Sequence, residues 1–168
     1  MPLDPSSRLK SRYDILFEPL AIGPVTAKNR FYQVPHCNGG GYRDPSAAAQ
    51  MRGTKAEGGW GAISTELCSI SPESDLTPHV LGTIWDEGDV INYRHFNDGL
   101  HKHGALGAIE LAHCGPHSTN WFTREIARGS SAYQSDAEPQ SYCAPMYEED
   151  VEDVIRLHVE AAKRAVDA

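Results

Sequence analysis

Apolar and polar positions along the chain follow two periods, one typical of buried strands and one typical of amphipathic helices. Strand-like runs cover residues 29–35 (NRFYQVP), 61–67 (GAISTEL) and 105–111 (ALGAIEL). Each is rich in apolar, aromatic or β-branched residues, which favours strands. Helix-like stretches follow at about 46–57, at about 89–103 and from about residue 147 onward. The sequence therefore predicts three successive strand–helix units.

Turn residues and charges set the ends of these elements. Asp44-Pro45 is a helix start and Gly58-Gly59 a helix stop, and Gly104 ends the second helix. The third helix places an apolar stripe on one face with a period near 3.6, which predicts that this face is buried. The stripe consists of Val151, Val154, Ile155, Val159, Ala162 and Val166.

Three stretches lie outside the repeating units. Residues 14–22 (DILFEPLAI) are predicted to form two short strands around Glu18-Pro19, giving an N-terminal β-hairpin. Residues 38–41 (NGGG) are predicted to form a glycine-rich turn, and residues 113–146 a long polar loop.

Strand–helix units in succession predict an α/β fold with a parallel sheet and right-handed crossovers. The loops after the strands are long and those after the helices are short, as in a (β/α)8 barrel of the TIM type. Such a barrel needs eight strands and about 250 residues. Three units cannot close it, so residues 1–168 are predicted to be the incomplete N-terminal portion of a barrel.

Charge and hydropathy narrow the range of partners. The net charge is −8 and the pI is about 5.4, which argues against nucleic acid or an anionic membrane as the main partner, since both require a basic surface. No uncharged apolar run approaches the roughly 18 residues that span a bilayer. The N-terminus lacks the apolar core of a secretory signal. We therefore expect a cytoplasmic protein.

The chain has four cysteines, and none of them forms a CxxC pair. In a cytoplasmic protein they are expected to be thiols, not disulfides. The run His113-Cys114-Gly115-Pro116-His117 suggests a metal site, but only Cys143 is conceivable as a fourth ligand, and a loop at the mouth of an active site is the simpler interpretation. We therefore predict no metal site.

One cysteine lies where a barrel performs its chemistry. Cys37 follows Val34, Pro35 and His36 at the carboxyl end of the first strand and precedes the NGGG run. Glycines at that position let the backbone approach a ligand closely. A thiolate there could add to a flavin ring, while the alternative is a buried thiol beside a turn.

Two glutamates need an explanation, because a carboxylate within an apolar strand is costly unless it is paired or hydrogen-bonded. Glu110 lies inside the third strand, and its partner could be a flavin ring N–H, a cationic substrate or an arginine in a structural ion pair. Glu66, near the end of the second strand, has the same alternatives.

Several segments together resemble a known family. NRFYQVPHCNG, KAEGGWGAISTE, IWDEGDV, HKHGAL and the IEL of the third strand are similar to the trimethylamine, dimethylamine and histamine dehydrogenases. These enzymes belong to the old yellow enzyme class of FMN barrels. The similarity extends from about Tyr13 to Ala168. The VPHC motif is specific, because few other flavin barrels place a cysteine there for covalent attachment.

The resemblance implies that Cys37 is bonded through sulfur to C6 of FMN. It also implies that Val34, Pro35 and His36 line the flavin. Leu67 would lie beside the flavin and the substrate at the end of the second strand, and Glu110 would lie near the ring.

The implied activity is flavin-dependent oxidative dehydrogenation of a small amine. Electrons would pass from FMN to a 4Fe-4S cluster and then to an electron-transfer flavoprotein. The full-length enzymes of the family also hold ADP and form homodimers. The catalytic residues, the flavin-phosphate loops and the cluster cysteines are all expected beyond residue 168.

One departure concerns the substrate. The trimethylamine enzyme has an aromatic residue where Leu67 stands, and leucine cannot supply the same cation–π attraction. The amine is therefore not defined. Two alternatives stay open: an NAD(P)H-dependent ene-reductase of the old yellow enzyme class, and a truncated fragment that is inactive on its own.

Overall fold

A parallel sheet backed by helices forms the centre of the molecule. The computed structural model describes residues 11–76, 80–134 and 142–168. Strands β3 (Tyr32–Gln33), β4 (Ala62–Ser69) and β6 (Leu106–Ala112) run parallel, with β4 in the middle. A two-residue strand, β5 (Gly82–Thr83), pairs in parallel with the last two residues of β4. The predicted parallel sheet is confirmed, but its first strand covers only Tyr32–Gln33 and not residues 29–35.

Among the described residues four α-helices accompany this sheet, and the second and third of them cross over from β3 to β4 and from β4 to β6 on one side of it. They are α1 (Gly40–Arg43), α2 (Pro45–Glu57), α3 (Glu87–His101) and α4 (Glu148–Asp167). The Asp44 carboxylate caps α2 by accepting the Ala47 amide, and Asp86 caps α3 by accepting the amides of Gly88 and Asp89. Acidic side chains in the first turns of α3 and α4 complement the helix dipoles.

Two apolar clusters hold the layers together. One joins α2, α3 and the first half of the sheet through Ala56, Ile63, Phe96, Leu100 and Ala105. The other joins the second half of the sheet to α4 through Cys68, Ile70, Ile84 and Ala161. Ile109 and Leu111 of β6 pack against this second cluster, so the remaining β6 side chains point to the side of the sheet without helices.

The N-terminal hairpin exists, but its position was predicted incorrectly. Residues Asp14–Phe17 form a 3₁₀ turn, and the hairpin consists of β1 (Leu20–Ile22) and β2 (Val25–Ala27) in antiparallel register. The turn lies at Gly23, which has a φ of +55°. Glycine adopts that left-handed conformation without strain, so the chain reverses there and not at Glu18-Pro19.

Two further predictions need correction. Residues 38–41 are not only a turn, because the short helix α1 begins at Gly40. The stretch 113–146 contains a 3₁₀ turn (Gly115–His117) and a small sheet with the order β7 (Arg128–Gly129), β9 (Tyr142–Pro145), β8 (Tyr133–Gln134). These strands are too short to show an alternating pattern in the sequence.

Helix α4 uses a different face from the predicted one. It packs on the sheet through Leu157, Ala161 and Ala165, spaced four residues apart. The larger stripe of Val151, Ile155, Val159 and Val166 stays exposed. No helix among the described residues is long and apolar enough to cross a membrane.

Candidate active site

Two of the predicted residues are neighbours on the helix-free side of the sheet. Leu67 of β4 is in register with Glu110 of β6, and Ser64 is in register with Ala108. Because Ala108 and Glu110 lie two residues apart on one strand, they share a face, and their partners share it with them. Leu67 and Glu110 therefore lie side by side, both half-buried, near the carboxyl end of the sheet.

A β-bulge in β4 produces this arrangement. Three steps from Ser64 to Leu67 match only two from Ala108 to Glu110. Without the extra residue Glu66 would be the partner of Glu110; with it, Leu67 takes that place and Glu66 lies on the opposite face, beneath the chain segment that follows β3. Strand β4 also continues to Ser69, so Leu67 precedes the end of the strand by two residues.

The segment after β3 carries the predicted flavin ligands at the edge of the sheet. Val34, His36 and Cys37 are exposed, and Pro35 is half-buried. The Cys37 thiol is thus not the buried thiol of the alternative interpretation. The side chain of Gln33 bonds the carbonyl of Val34 and approaches Nδ1 of His36 at 3.1 Å.

His36 lies in a positive environment. The Lys55 ammonium is 3.4 Å from its Nε2. The pKa of His36 is below its ordinary value, first because of partial desolvation and then because of the charges of Lys55 and Arg52. His36 therefore remains neutral to lower pH than an isolated histidine.

The two glutamates differ in their partners. The Glu110 carboxylate has no hydrogen-bond or ion-pair partner among the described residues, so the structural ion pair is not formed within this part of the chain. Glu66 is 2% exposed. Its carboxylate accepts three backbone N–H groups, from Asn38, Gly39 and Gly41. Glu66 thus supports the backbone of the Cys37 segment.

The HCGPH run spreads its side chains over different partners. His113 faces Glu73 and His158, and burial lowers its pKa. His117 approaches the Tyr133 hydroxyl at 3.4 Å. Across residues 11–76, 80–134 and 142–168, no three His, Cys, Asp or Glu side chains group as metal ligands.

Cys114 lies in the loop that follows β6. Burial raises the pKa of the Cys114 thiol to about 11, and the charges of Asp75, Cys37 and Glu110 act in the same direction.

Arg52 is a site residue that the sequence analysis missed. It is 2% exposed on α2 and donates to the carbonyls of His36 and Ser64. A signal was present in the sequence, because Arg52 lies four residues after Ala48 and four before Ala56, on a stripe of small residues. An arginine on such a stripe is buried only if it has acceptors.

These features fit a flavin. The helix-free face offers an apolar side chain, Leu67, beside the Glu110 carboxylate, which has no partner among the described residues, and an exposed thiol stands at the adjacent strand end. An isoalloxazine ring requires an apolar wall and acceptors for its N–H edge, and a thiol in reach permits covalent attachment.

The chain belongs to the NADH:flavin oxidoreductase / NADH oxidase family, whose model matches residues 15–168. The fold is therefore part of an FMN-dependent oxidoreductase barrel of the TIM type.

The names of several relatives in this family include an amine substrate. The chain is 47% identical over 162 residues to dimethylamine dehydrogenase of Hyphomicrobium sp. (strain x), covering 93% of this chain and 22% of that protein. It matches histamine dehydrogenase from Rhizobium sp. 4-9 with a TM-score of 0.85 and 46% identity, covering 92% of this chain and 23% of that one.

A third relative is 6-hydroxypseudooxynicotine amine oxidase from Pseudomonas geniculata N1. The match has a TM-score of 0.88 and 33% identity, and covers 93% of this chain and 24% of that one. The chain thus spans less than a quarter of the length of each relative. The resemblance to the amine dehydrogenases and to the FMN barrels is confirmed.

Proposed function

We propose that this chain is the N-terminal part, residues 1–168, of an amine dehydrogenase that holds FMN through a bond between Cys37 sulfur and flavin C6. The observation that carries the proposal is the exposed thiol at the carboxyl end of β3, in the same end of the sheet as Leu67 and Glu110. The similarity to dimethylamine and histamine dehydrogenases supports the choice of an amine as substrate.

The attachment is an oxidation of the thiol–flavin pair. Cys37 would supply the sulfur: a sulfur–C6 bond would replace the S–H bond of the thiol and the C6–H bond of a bound FMN, with two protons released and two electrons passed to an external acceptor such as dioxygen. Val34, Pro35 and His36 line the ring on the same segment. Both ring nitrogens of His36 face nitrogen groups, the Gln33 amide at Nδ1 and the Lys55 ammonium at Nε2, and its lowered pKa keeps the ring neutral.

The remaining site residues orient the reactants. Leu67 provides an apolar contact for ring and substrate, and the Glu110 carboxylate accepts a ring N–H or attracts the cationic amine. The bound FMN supplies a two-electron acceptor. A neutral amine that gives up two electrons and two protons would become an imine, which water would hydrolyse.

We propose for the complete protein the electron route of this family: FMN to a 4Fe-4S cluster, and from there to an electron-transfer flavoprotein. ADP as a bound nucleotide and a homodimeric assembly belong to the same proposal. Their ligands and contacts would lie outside residues 1–168.

The substrate class is tested by anaerobic titration of the complete natural protein that contains this sequence. Dimethylamine, trimethylamine and histamine are added in turn, and bleaching of the flavin absorbance is followed. We expect one of the three to reduce the flavin within seconds, and NADPH not to do so. Reduction by NADPH with turnover of an activated alkene, and no reduction by any amine, would overturn the proposal.

The second candidate function is that of an ene-reductase, which the family's NADH:flavin oxidoreductase description favours. In that case Cys37 would tune a non-covalently held FMN. The third reading, an isolated fragment without activity, is compatible with the first proposal, because it concerns residues 1–168 alone.

A further inference from the structure

Two buried ions of opposite charge lie behind the segment that carries Cys37. Arg52 and Glu66 are each 2% exposed, and both are among the largest side chains withdrawn from solvent. A buried charge is strongly unfavourable unless hydrogen bonds and an opposite charge compensate it. The pKa of Arg52 is lowered by burial, and the nearby charge of Glu66 opposes that shift.

Glu66 holds the backbone that follows Cys37. One carboxylate oxygen accepts the N–H groups of Asn38 and Gly39 at 2.9 and 3.0 Å, and the other accepts that of Gly41 at 2.6 Å. Hydrogen bonds to an ionised carboxylate are stronger than neutral ones. A Cβ at Gly41 would lie 2.4 Å from Glu66 Oε1, so only glycine allows this approach.

Arg52 holds the backbone that precedes Cys37. Its Nη2 donates to the His36 carbonyl at 3.1 Å, and its Nε donates to the Ser64 carbonyl on β4 at 2.9 Å. The guanidinium therefore ties the Cys37 segment to the central strand. Its planar fork serves both carbonyls at once, which an ammonium cannot do with the same geometry.

The contacts of Arg52 and Glu66 hold the two peptide groups on either side of Cys37. The His36 carbonyl belongs to the peptide group before Cys37, and the Asn38 N–H belongs to the peptide group after it. Fixing both peptide planes fixes φ and ψ of Cys37, because these angles relate the two planes. The thiol then has only its few χ1 rotamers to sample.

We propose that Arg52 and Glu66 are positioning residues that clamp the backbone on both sides of Cys37 and so present its sulfur to the flavin. This inference rests on the proposed covalent attachment. A reaction between two held groups is faster than one in which a flexible segment must first find the productive geometry. The clamp should therefore affect the rate of attachment more than the affinity for FMN.

The test compares variants of the complete protein prepared without FMN. Glu66→Gln is isosteric but replaces one acceptor oxygen by a donor that faces backbone N–H groups. Arg52→Lys keeps the charge but not the fork. Glu57→Gln, on the exposed end of α2, is the control. After FMN is added, covalent flavin is measured as fluorescence retained on the acid-denatured chain, and FMN affinity is measured separately.

We expect Glu66→Gln to slow attachment at least tenfold, Arg52→Lys to slow it less, and Glu57→Gln to leave it unchanged. FMN affinity should change less than threefold in all three, which a general loss of structure would not allow. Attachment by Glu66→Gln at a rate within twofold of the unaltered protein would overturn the clamp.

Hydrogen–deuterium exchange of the unaltered protein tests the clamp without substitutions, and so also applies if the variants do not fold. In the unaltered FMN-free protein, the amides of Asn38, Gly39 and Gly41 should exchange with deuterium as slowly as those of β4. Fast exchange at these three amides would refute the clamp. Absence of covalent flavin in the unaltered protein would refute the proposed function, while slow exchange would still support the held backbone.

Discussion

The four thiols of the chain differ in their access to solvent and in their acidity. Cys68 is completely buried, and burial raises its pKa to about 11. Cys143 is buried as well, and Cys114 is half-buried with a pKa of about 11. Only Cys37 is exposed. Exposure and the thiolate fraction together determine thiol reactivity.

This difference predicts a selective modification of FMN-free protein at pH 8. With a pKa of about 11, roughly one Cys114 side chain in a thousand is a thiolate at that pH. We expect iodoacetamide to label Cys37 at least tenfold faster than Cys114, as read from peptide masses over time. Equal rates would show that Cys114 is more accessible than the structure indicates.

Residue-level reasoning from sequence proposed Cys37 and Glu110, because each stands at or near a strand end in an unusual chemical context, whereas Leu67 came from the family resemblance alone. It left Glu66 unresolved and missed Arg52. The reason is physical: the β4 bulge, which places Leu67 and not Glu66 beside Glu110, depends on the register with β6, and no local pattern encodes that register.

At the scale of elements, long periodic segments were predictable and short ones were not. Strands β4 and β6 and helices α2, α3 and α4 lie within two residues of their predicted bounds, because apolar periodicity and helix caps mark them. The two-residue strands β5, β7 and β8 exist only because a neighbouring segment pairs with them. Tertiary contact, not local propensity, defines such strands.

The contact between α1 and β5 gives a prediction at this scale. A methyl group at Gly41 would meet Glu66 Oε1 at 2.4 Å and the Gly82 Cα at 2.9 Å. Because one of these neighbours is backbone, relief requires the segment to move, and we expect Gly41→Ala to lower the free energy of unfolding by about 1–3 kcal/mol.

Gly99 within α3 is the matched control, because a Cβ there would meet nothing within 4 Å. Gly99→Ala should raise the free energy of unfolding by about 0.5–1 kcal/mol, since alanine favours the helix interior. Urea unfolding of the complete protein measures both changes. A Gly41→Ala variant as stable as the unaltered protein would contradict the close approach.

Two apolar surfaces of the molecule, the exposed stripe of α4 and the open face of the sheet, are best explained as surfaces that other parts of a complete barrel cover. Val151, Ile155, Val159 and Val166 are exposed on α4, and Ile22, Val25, Tyr32 and Leu106 line an open apolar hollow. Large contiguous apolar surfaces are rare on free-standing monomers. In the proposed complete barrel, the following strand–helix units cover both surfaces.

The variant Ile155→Ala in the complete protein tests whether another helix packs on the exposed stripe of α4. Glu152→Ala, on the exposed polar face, is the control. If a later helix packs on this stripe, Ile155→Ala should destabilise the protein by about 2–5 kcal/mol. Glu152→Ala should stay within about 0.5 kcal/mol. A negligible effect of Ile155→Ala on the urea midpoint would mean that the stripe stays exposed.

A covalent bond between the Cys37 sulfur and FMN is central to the proposed function, and peptide mapping detects such a bond directly. The complete protein is denatured, digested with protease and separated while flavin absorbance and peptide mass are recorded together. We expect one flavin-bearing peptide that contains Cys37, heavier by the mass of FMN less two hydrogens, and no such peptide from Cys37→Ala. Flavin released free on denaturation, or attached to any other residue, would contradict it.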